Sequence, residues 1–190
     1  MFIQTEVTPN PETLKFLPGR EVLASGLIDC PDAESAQAQS PLAEAIFQVE
    51  GVKRVFLGAD FISVTKNADL DWPHVKPFIL GAIMEHFVAE RPVLVGTPAP
   101  AEHNDIVYEG EAAEIVEQIK ELIETRVRPA VTQDGGDIAF HSWEHEDGIV
   151  KLNMRGSCAG CPSSALTLKQ GIENLLRHYV PEVNAVEQVI

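Results

Sequence analysis

The chain has 190 residues, 45% of them hydrophobic and 23% charged, with a formal net charge of −15 at pH 7, which is room for one large domain or two small ones of ordinary globular composition. Acidity on that scale argues against nucleic acid, whose phosphates need a basic face, and against anionic membrane surfaces. No apolar run reaches the roughly 20 residues that cross a bilayer, and an odd count of three cysteines favours free thiols or metal ligation over a disulfide framework.

The opening "MFIQTEVTPNPETLKF" lacks the basic start, apolar core and small-residue cleavage site of a secretory signal, and it is too acidic and too poor in arginine for a transit peptide. The expected location is therefore the cytoplasm of a bacterium, with the mitochondrial matrix as the alternative for a processed form. Within that opening, "MFIQTEV" and "TLKFL" read as two strands around the turn "TPNP". The run "PDAESAQAQS" at 31–40 reads as a small polar stretch. Ser40 before Pro41 is an N-cap followed by proline at the first helical position, and the helix "PLAEAIFQVE" is expected to stop at Gly51. "VKRVFLGADFISVTK" reads as a hairpin with Gly58 and Asp60 in its turn. A second helix, "PHVKPFILGAIMEHFVAE", places Val75, Ile79, Ile83 and Phe87 on one face, with Pro77 in its first turn. The order is β-β-α-β-β-α, a small α+β domain over 1–92.

Residues 91–111, "RPVLVGTPAPAEHNDIVYEGE", have prolines, small residues and no helical period, and mark a linker over 93–110. The acidity lies on both sides of it: 13 acidic and 7 basic residues in 1–92, 16 and 7 in 93–190. Spread in this way it means solubility and repulsion of other acidic proteins.

After the linker, "EAAEIVEQIKELIETRVRP" carries Ile115, Ile119, Leu122 and Ile123 on one face and is expected to end at Pro129. "DIAFHSW", the turn "EHEDG" and "IVKLNM" form a hairpin with Val150, Leu152 and Met154 on one side. A cysteine-containing loop follows, then a helix with Leu168, Ile172, Leu175, Leu176 and Tyr179 on one side. "VNAVEQVI" adds an edge strand. This second domain, 111–190, has the order α-β-β-α-β, so the fold class is mixed α and β, two small domains joined by a proline-containing linker.

The loop "MRGSCAGCPSS" holds Cys158 and Cys161 between a strand and a helix start. The helix N-terminus directs N–H groups and positive partial charge at the loop, with Arg155 close in sequence, so depressed thiol pKa values are expected. Four readings fit. The two cysteines can fill an inert turn. They can form a thioredoxin-like dithiol, which wants a βαβ setting where the order here is β-β-α. They can bind zinc with two histidines; His178, however, lies about 25 Å from Cys161 by helical rise, and His141 and His145 more simply decorate the hairpin. Or they can hold an iron–sulfur cluster, which wants four thiolates, so that two chains must each give Cys158 and Cys161.

"GSCAGCPSSALTLKQGIE" together with "VTQDGGDIAF" resembles the C-terminal domain of the NifU family, the Nfu-type iron–sulfur scaffolds, over residues 111–190. "FIQTEVTPNPETLKFLPG" and "GVKRVFLGADFISVTK" resemble the Nfu N-terminal domain, so the likeness covers nearly the whole chain. It implies Cys158 and Cys161 as cluster ligands and a labile cluster, commonly 4Fe–4S, bridging a homodimer. It also implies apo iron–sulfur proteins as acceptors and upstream assembly machinery as donor, with no enzymatic activity. The alternative from another class is a thiol–disulfide oxidoreductase using the same two cysteines.

Elsewhere, Cys30 reads as an inert small residue, and "DGGD" at 134–137 as a tight turn into a strand rather than an acidic metal site. Trp72 and Trp143 read as packing anchors. No nucleophile–base pair, phosphate-binding loop or pair of catalytic carboxylates is recognisable from spacing.

Overall fold

Strands β1 (Gln4–Val7) and β2 (Thr13–Leu17) pair antiparallel, from Gln4 opposite Leu17 to Val7 opposite Leu14. The turn between them is held by Asn10, whose Oδ1 accepts from the Glu12 N–H at 3.0 Å and whose carbonyl accepts from Thr13 N–H at 3.0 Å. This is the local side-chain competition with regular structure that favours asparagine in turns. The computed structural model describes residues 2–96, 106–159 and 162–189, without the side chains of 162–165. It divides the chain into two units, Met1–Pro100 and Ala101–Ile190, each mixed α and β.

The first unit continues with β3 (Ile28–Cys30), α1 (Ala33–Gln39), α2 (Pro41–Phe47), β4 (Val52–Leu57), β5 (Ile62–Lys66) and α3 (Trp72–Val88). The strands form one antiparallel sheet in the order β1-β2-β5-β4-β3. Leu14, Phe16, Val55, Leu57, Ile62 and Val64 join Leu42, Ile46, Val75, Ile79, Ile83 and Phe87 of the helices in a single apolar core, so the alternation of the strands faces the stripes of the helices.

Three expectations for this unit are corrected. The "polar run" at 31–40 contains a helix, α1, because Asp32 caps it: its Oδ1 accepts from the N–H and the hydroxyl of Ser35, both at 2.7 Å. With β3 added, the order becomes β-β-β-α-α-β-β-α. Helix α2 ends at Phe47, short of Gly51, which lies at φ +94° beyond the helix, in the turn into β4. Pro77 lies inside α3, since the helix begins at Trp72 with Asp71 as its N-cap residue. Ser40 does act as expected, its Oγ accepting from Ala43 N–H at 3.1 Å; the same hydroxyl donates to the Val93 carbonyl. Val93 and Leu94 pack on this core.

In the second unit, α4 (Glu111–Leu122) passes into a π-helical turn (Ile123–Val127) and then α5 (Arg128–Gln133). The helix therefore does not end at Pro129. Proline has no N–H for the carbonyl one turn back, and the chain accommodates it by widening the preceding turn, with Arg128 N–H bonded to the Ile123 carbonyl. Strands β6 (Gly136–Glu144) and β7 (Ile149–Gly156) form the expected hairpin, with a bulge between Phe140 and Ser142. Helix α6 (Pro162–Tyr179) leads to β8 (Ala185–Val189), which pairs parallel to β7 from Ala185 opposite Ile149. The core joins Ile119, Ile123, Val127 and Val131 to Val150, Leu152, Met154, Ile172 and Leu176. Trp143 packs within it as expected, and its backbone N–H donates to the Tyr108 hydroxyl at 2.7 Å. Among the described residues no helix is long and apolar enough to cross a membrane.

Candidate functional site

The site grows out of the end of β7. Gly156 closes that strand at φ +64°, a left-handed conformation that glycine adopts without strain. The chain then turns, with Ser157 N–H donating to the Gly135 carbonyl at 3.3 Å and Ala159 N–H to the Gly156 carbonyl at 3.1 Å. Between these two bonds Cys158 points inward. It is 7% exposed and belongs to the apolar core of the second unit. Cys161, the second sequence-predicted ligand, lies outside the described residues, as does residue 160; α6 starts directly after them at Pro162.

The sulfur of Cys158 rests on Gly136, the first residue of β6. A Cβ at Gly136 would lie 2.6 Å from Cys158 Sγ and 3.0 Å from both the Arg155 carbonyl and Ser157 Oγ. Only glycine fits under the sulfur, because real side-chain carbons do not come that close. The second glycine of "DGGD" thus has a use at the site beyond the turn assigned to it from the sequence.

Beside that floor lies Asp137, buried at 3% side-chain exposure, whose Oδ1 accepts from Arg128 Nε at 2.8 Å. Arg128 Nη1 also donates to both oxygens of Glu124 at 2.8 Å, one helical turn back. Burial pushes the Asp137 carboxyl up from its ordinary value, and the Arg128 guanidinium partly offsets this. Burial opposes the charge of Arg128, but Glu124 and Asp137 outweigh it and lift the guanidinium above its ordinary value. In the β6–β7 register Asp137 sits opposite Arg155.

The expected depression of the cysteine pKa values is corrected for Cys158. Burial, with smaller contributions from the Asp134 and Asp137 charges, pushes its thiol up to about 11, against the lowering by the hydrogen bond with Ser157. The thiol is therefore protonated at neutral pH. A metal that binds it must displace the proton, which couples binding to proton release. Such a thiol is a poor nucleophile until it loses its proton.

The other candidates lie apart from this arrangement. Cys30 is fully buried in the core of the first unit, and its thiol is pushed up to about 12, first by burial and then by Asp29 and Asp32. His141 Nδ1 lies 3.1 Å from Ser142 Oγ, His145 packs edge-on against Trp143 and His178 against Tyr179. Among the described residues no group of three or more His, Cys, Asp or Glu side chains is arranged to hold a metal ion. The described donor for a metal is thus the Cys158 sulfur, a soft ligand suited to iron–sulfur or zinc chemistry.

Arg128, Gly136 and Asp137 are the site residues that the sequence reading did not assign. The "DGGD" turn was the available signal. Its use was hidden because Arg128 and Asp137 belong to different elements.

Residues 3–90 match the family described as scaffold protein Nfu/NifU N terminal, and residues 119–187 match the NifU-like domain. The chain is 50% identical over 188 residues to NifU-like protein 5, mitochondrial, of Arabidopsis thaliana, covering 99% of this chain and 68% of the relative. It is 49% identical over 195 residues to the human NFU1 iron-sulfur cluster scaffold homolog, mitochondrial, covering 100% of this chain and 72% of the relative. The same-named protein of Drosophila sechellia is 50% identical over 190 residues, and the chain spans 65% of its length.

Proposed function

The chain belongs to the Nfu/NifU scaffold family, and from that premise we propose that it carries an iron–sulfur cluster, ligated by Cys158 and Cys161 of two protomers, and hands it to apo-proteins. The cluster is cargo here, and the protein acts as a carrier rather than an enzyme. The observation that carries the reading is Cys158 itself: a soft donor in the turn after β7, on a floor where no side chain fits.

Four thiolates around a 4Fe–4S core in its 2+ state give a net charge of about −2. The start of α6 supplies positive partial charge next to the loop, and backbone N–H groups add to it. Each cysteine loses its proton as it takes up metal. Delivery then proceeds by exchange, one thiolate of the acceptor replacing one of the carrier at a time. Two ligands per protomer keep each exchange small, which suits a carrier.

A dithiol–disulfide role for the same cysteines is disfavoured, because such an enzyme needs an accessible, low-pKa thiol and Cys158 is buried with its thiol pushed up to about 11. The names of the relatives place those proteins in mitochondria, which favours the matrix over the bacterial cytoplasm expected from the N-terminal residues.

The test is anaerobic reconstitution of the full chain with ferrous iron and sulfide, followed by native mass measurement. The expected result is a brown dimer with about one four-iron cluster per two chains. A cluster found on a monomer, or no cluster at all, rejects the reading.

A further inference from the structure

We infer that Arg128 and Asp137 are positioning residues for the cluster-binding loop: the pair fixes the glycine floor under Cys158 and keeps a buried carboxylate beside the cargo from standing uncompensated. The inference rests on the proposed carrier function.

The geometry is a short chain of fixed contacts. Arg128 is the first residue of α5, immediately after the π-helical turn. Its Nε donates to Asp137 Oδ1 and its Nη1 to Glu124, each at 2.8 Å. The guanidinium fork is therefore held from both sides. Asp137 is the residue after Gly136, so the ion pair ties α5 to the first residues of β6. Gly136 contacts Cys158 from below, and Gly135 accepts from Ser157 N–H. A shift of Asp137 is passed to the sulfur through one intervening residue.

The charge argument is independent of this linkage. Asp137 is almost fully buried and its charge acts on Cys158. A complex of net charge about −2 held at that sulfur is repelled by any bare carboxylate next to it. Without Arg128 the buried Asp137 keeps only the charge of Arg155, opposite it on β7, as compensation, and removing one partner of such a pair costs more than losing the pair as a whole. Arg128 has one further feature of a positioning residue: its approach depends on the widened turn. Each helical residue turns the helix by about 100°, so the extra residue of the π turn sets the direction from which Arg128 leaves α5 while Val127 and Val131 stay in the core.

The experiment compares full-length wild type with Arg128→Gln, Asp137→Asn, the double variant, and Arg128→Lys. Cluster content per folded chain, visible absorption, and cluster half-life in the presence of 2,2′-bipyridyl are measured on reconstituted protein. Amide chemical shifts of Gly136 and Cys158 are measured on cluster-free protein. Arg128→Gln is expected to shorten the half-life about tenfold and to move both amides, while the double variant regains part of the half-life, because the under-compensated carboxylate is gone although the tie from α5 to β6 is still lost, and its amides stay moved. Arg128→Lys, which keeps the charge but loses the fork, is expected to fall between. Unchanged half-life and unchanged amides in Arg128→Gln would overturn the inference, as would a double variant no better than Arg128→Gln. Should Arg128→Gln fail to fold, Arg128→Lys and the double variant decide: both matching wild type in half-life and amide shifts would overturn it. Failure of wild type to take up a cluster would instead reject the carrier function, and the amide shifts in cluster-free protein still report on the linkage.

Discussion

Gly136 lies directly under the sulfur of Cys158: a methyl group on Gly136 would sit 2.6 Å from it. Gly136→Ala must therefore displace Sγ or the adjoining Arg155 carbonyl, which lies 3.0 Å from the same point. Overpacking of this kind costs about 1–3 kcal/mol. The expected outcome is a folded protein, less stable by that amount in urea, that binds substantially less iron than wild type under identical reconstitution. Wild-type iron content in this variant would mean that the sulfur position is not set from below.

Ligand identity is tested by single replacements. Cys158→Ser and Cys161→Ser are each expected to abolish stable cluster binding, since a hydroxyl is a hard and weakly acidic substitute for a thiolate. Cys30→Ser is expected to keep the cluster, because Cys30 is buried in the core of the other unit. Loss of cluster from a folded Cys30 variant contradicts the assignment.

The Cys158 thiol, pushed up to about 11, should be alkylated slowly by iodoacetamide at pH 7 and progressively faster as pH rises toward that value. The sign follows from the acid: only the thiolate reacts, and its fraction grows with pH until the pKa is passed. Mass spectrometry of cluster-free protein, read at the Cys158 peptide, measures the rate. A plateau reached near pH 8 would show a thiol with a lowered pKa.

In the first unit His86 is buried beside the end of α3. Burial holds its pKa below the ordinary 6.5, helped by the Arg91 charge and opposed by hydrogen bonds to the backbone of Pro92 and Arg91. The unfolded chain therefore binds a proton at a pH where the folded one does not, so folding stability falls as pH drops below about 6.5. His86→Leu should remove that contribution. Urea unfolding of both proteins at pH 7.5 and 5.5 is expected to show a smaller acid loss in the variant; equal losses would exclude His86 as a source.

A fragment of residues 107–190 retains Tyr108, whose hydroxyl accepts from Trp143, and the whole core of the second unit. It is expected to fold and to dimerise around a cluster alone. We propose that residues 1–92 serve docking of a donor or acceptor, so deleting them should change transfer rates to at least one apo-protein while leaving iron per dimer nearly constant. A folded fragment that holds no cluster would place an essential contact in the first unit.

Every strand except the three-residue β3, the three long helices and the location of the cysteine loop were legible because each has a strong local signal. Val75, Ile79, Ile83 and Phe87 repeat at helical spacing, and Val150, Leu152 and Met154 at strand spacing. Helix α1 was not legible because it buries a single residue, Ala36, and so shows no apolar stripe; its signal was the Asp32 cap alone. Pro129 misled because a rule about one missing N–H does not say whether the helix stops or widens. At the site, the position of Cys158 between strand and helix was legible from its neighbours in sequence. Its raised pKa was not, because desolvation comes from the core around it and the Gly136 floor. The Arg128–Asp137 pair spans nine positions across a helix end and a turn, a separation that periodicity cannot join.

The parallel pairing of β8 with β7 limits how far α6 can move. Helix α6 leaves the end of β7 through the cysteine loop, and the chain then returns to lie along β7, with Ala185 opposite Ile149 and Val189 opposite Asn153. The helix is thus moored to the same strand at both its ends. Swinging α6 aside to widen the loop would require stripping β8 from the sheet and drawing Ile172 and Leu176 out of the core. On the carrier function proposed above, an acceptor would have to reach the Cys158 sulfur with α6 in place, and the approach of the acceptor's thiols to that turn would set the speed of delivery.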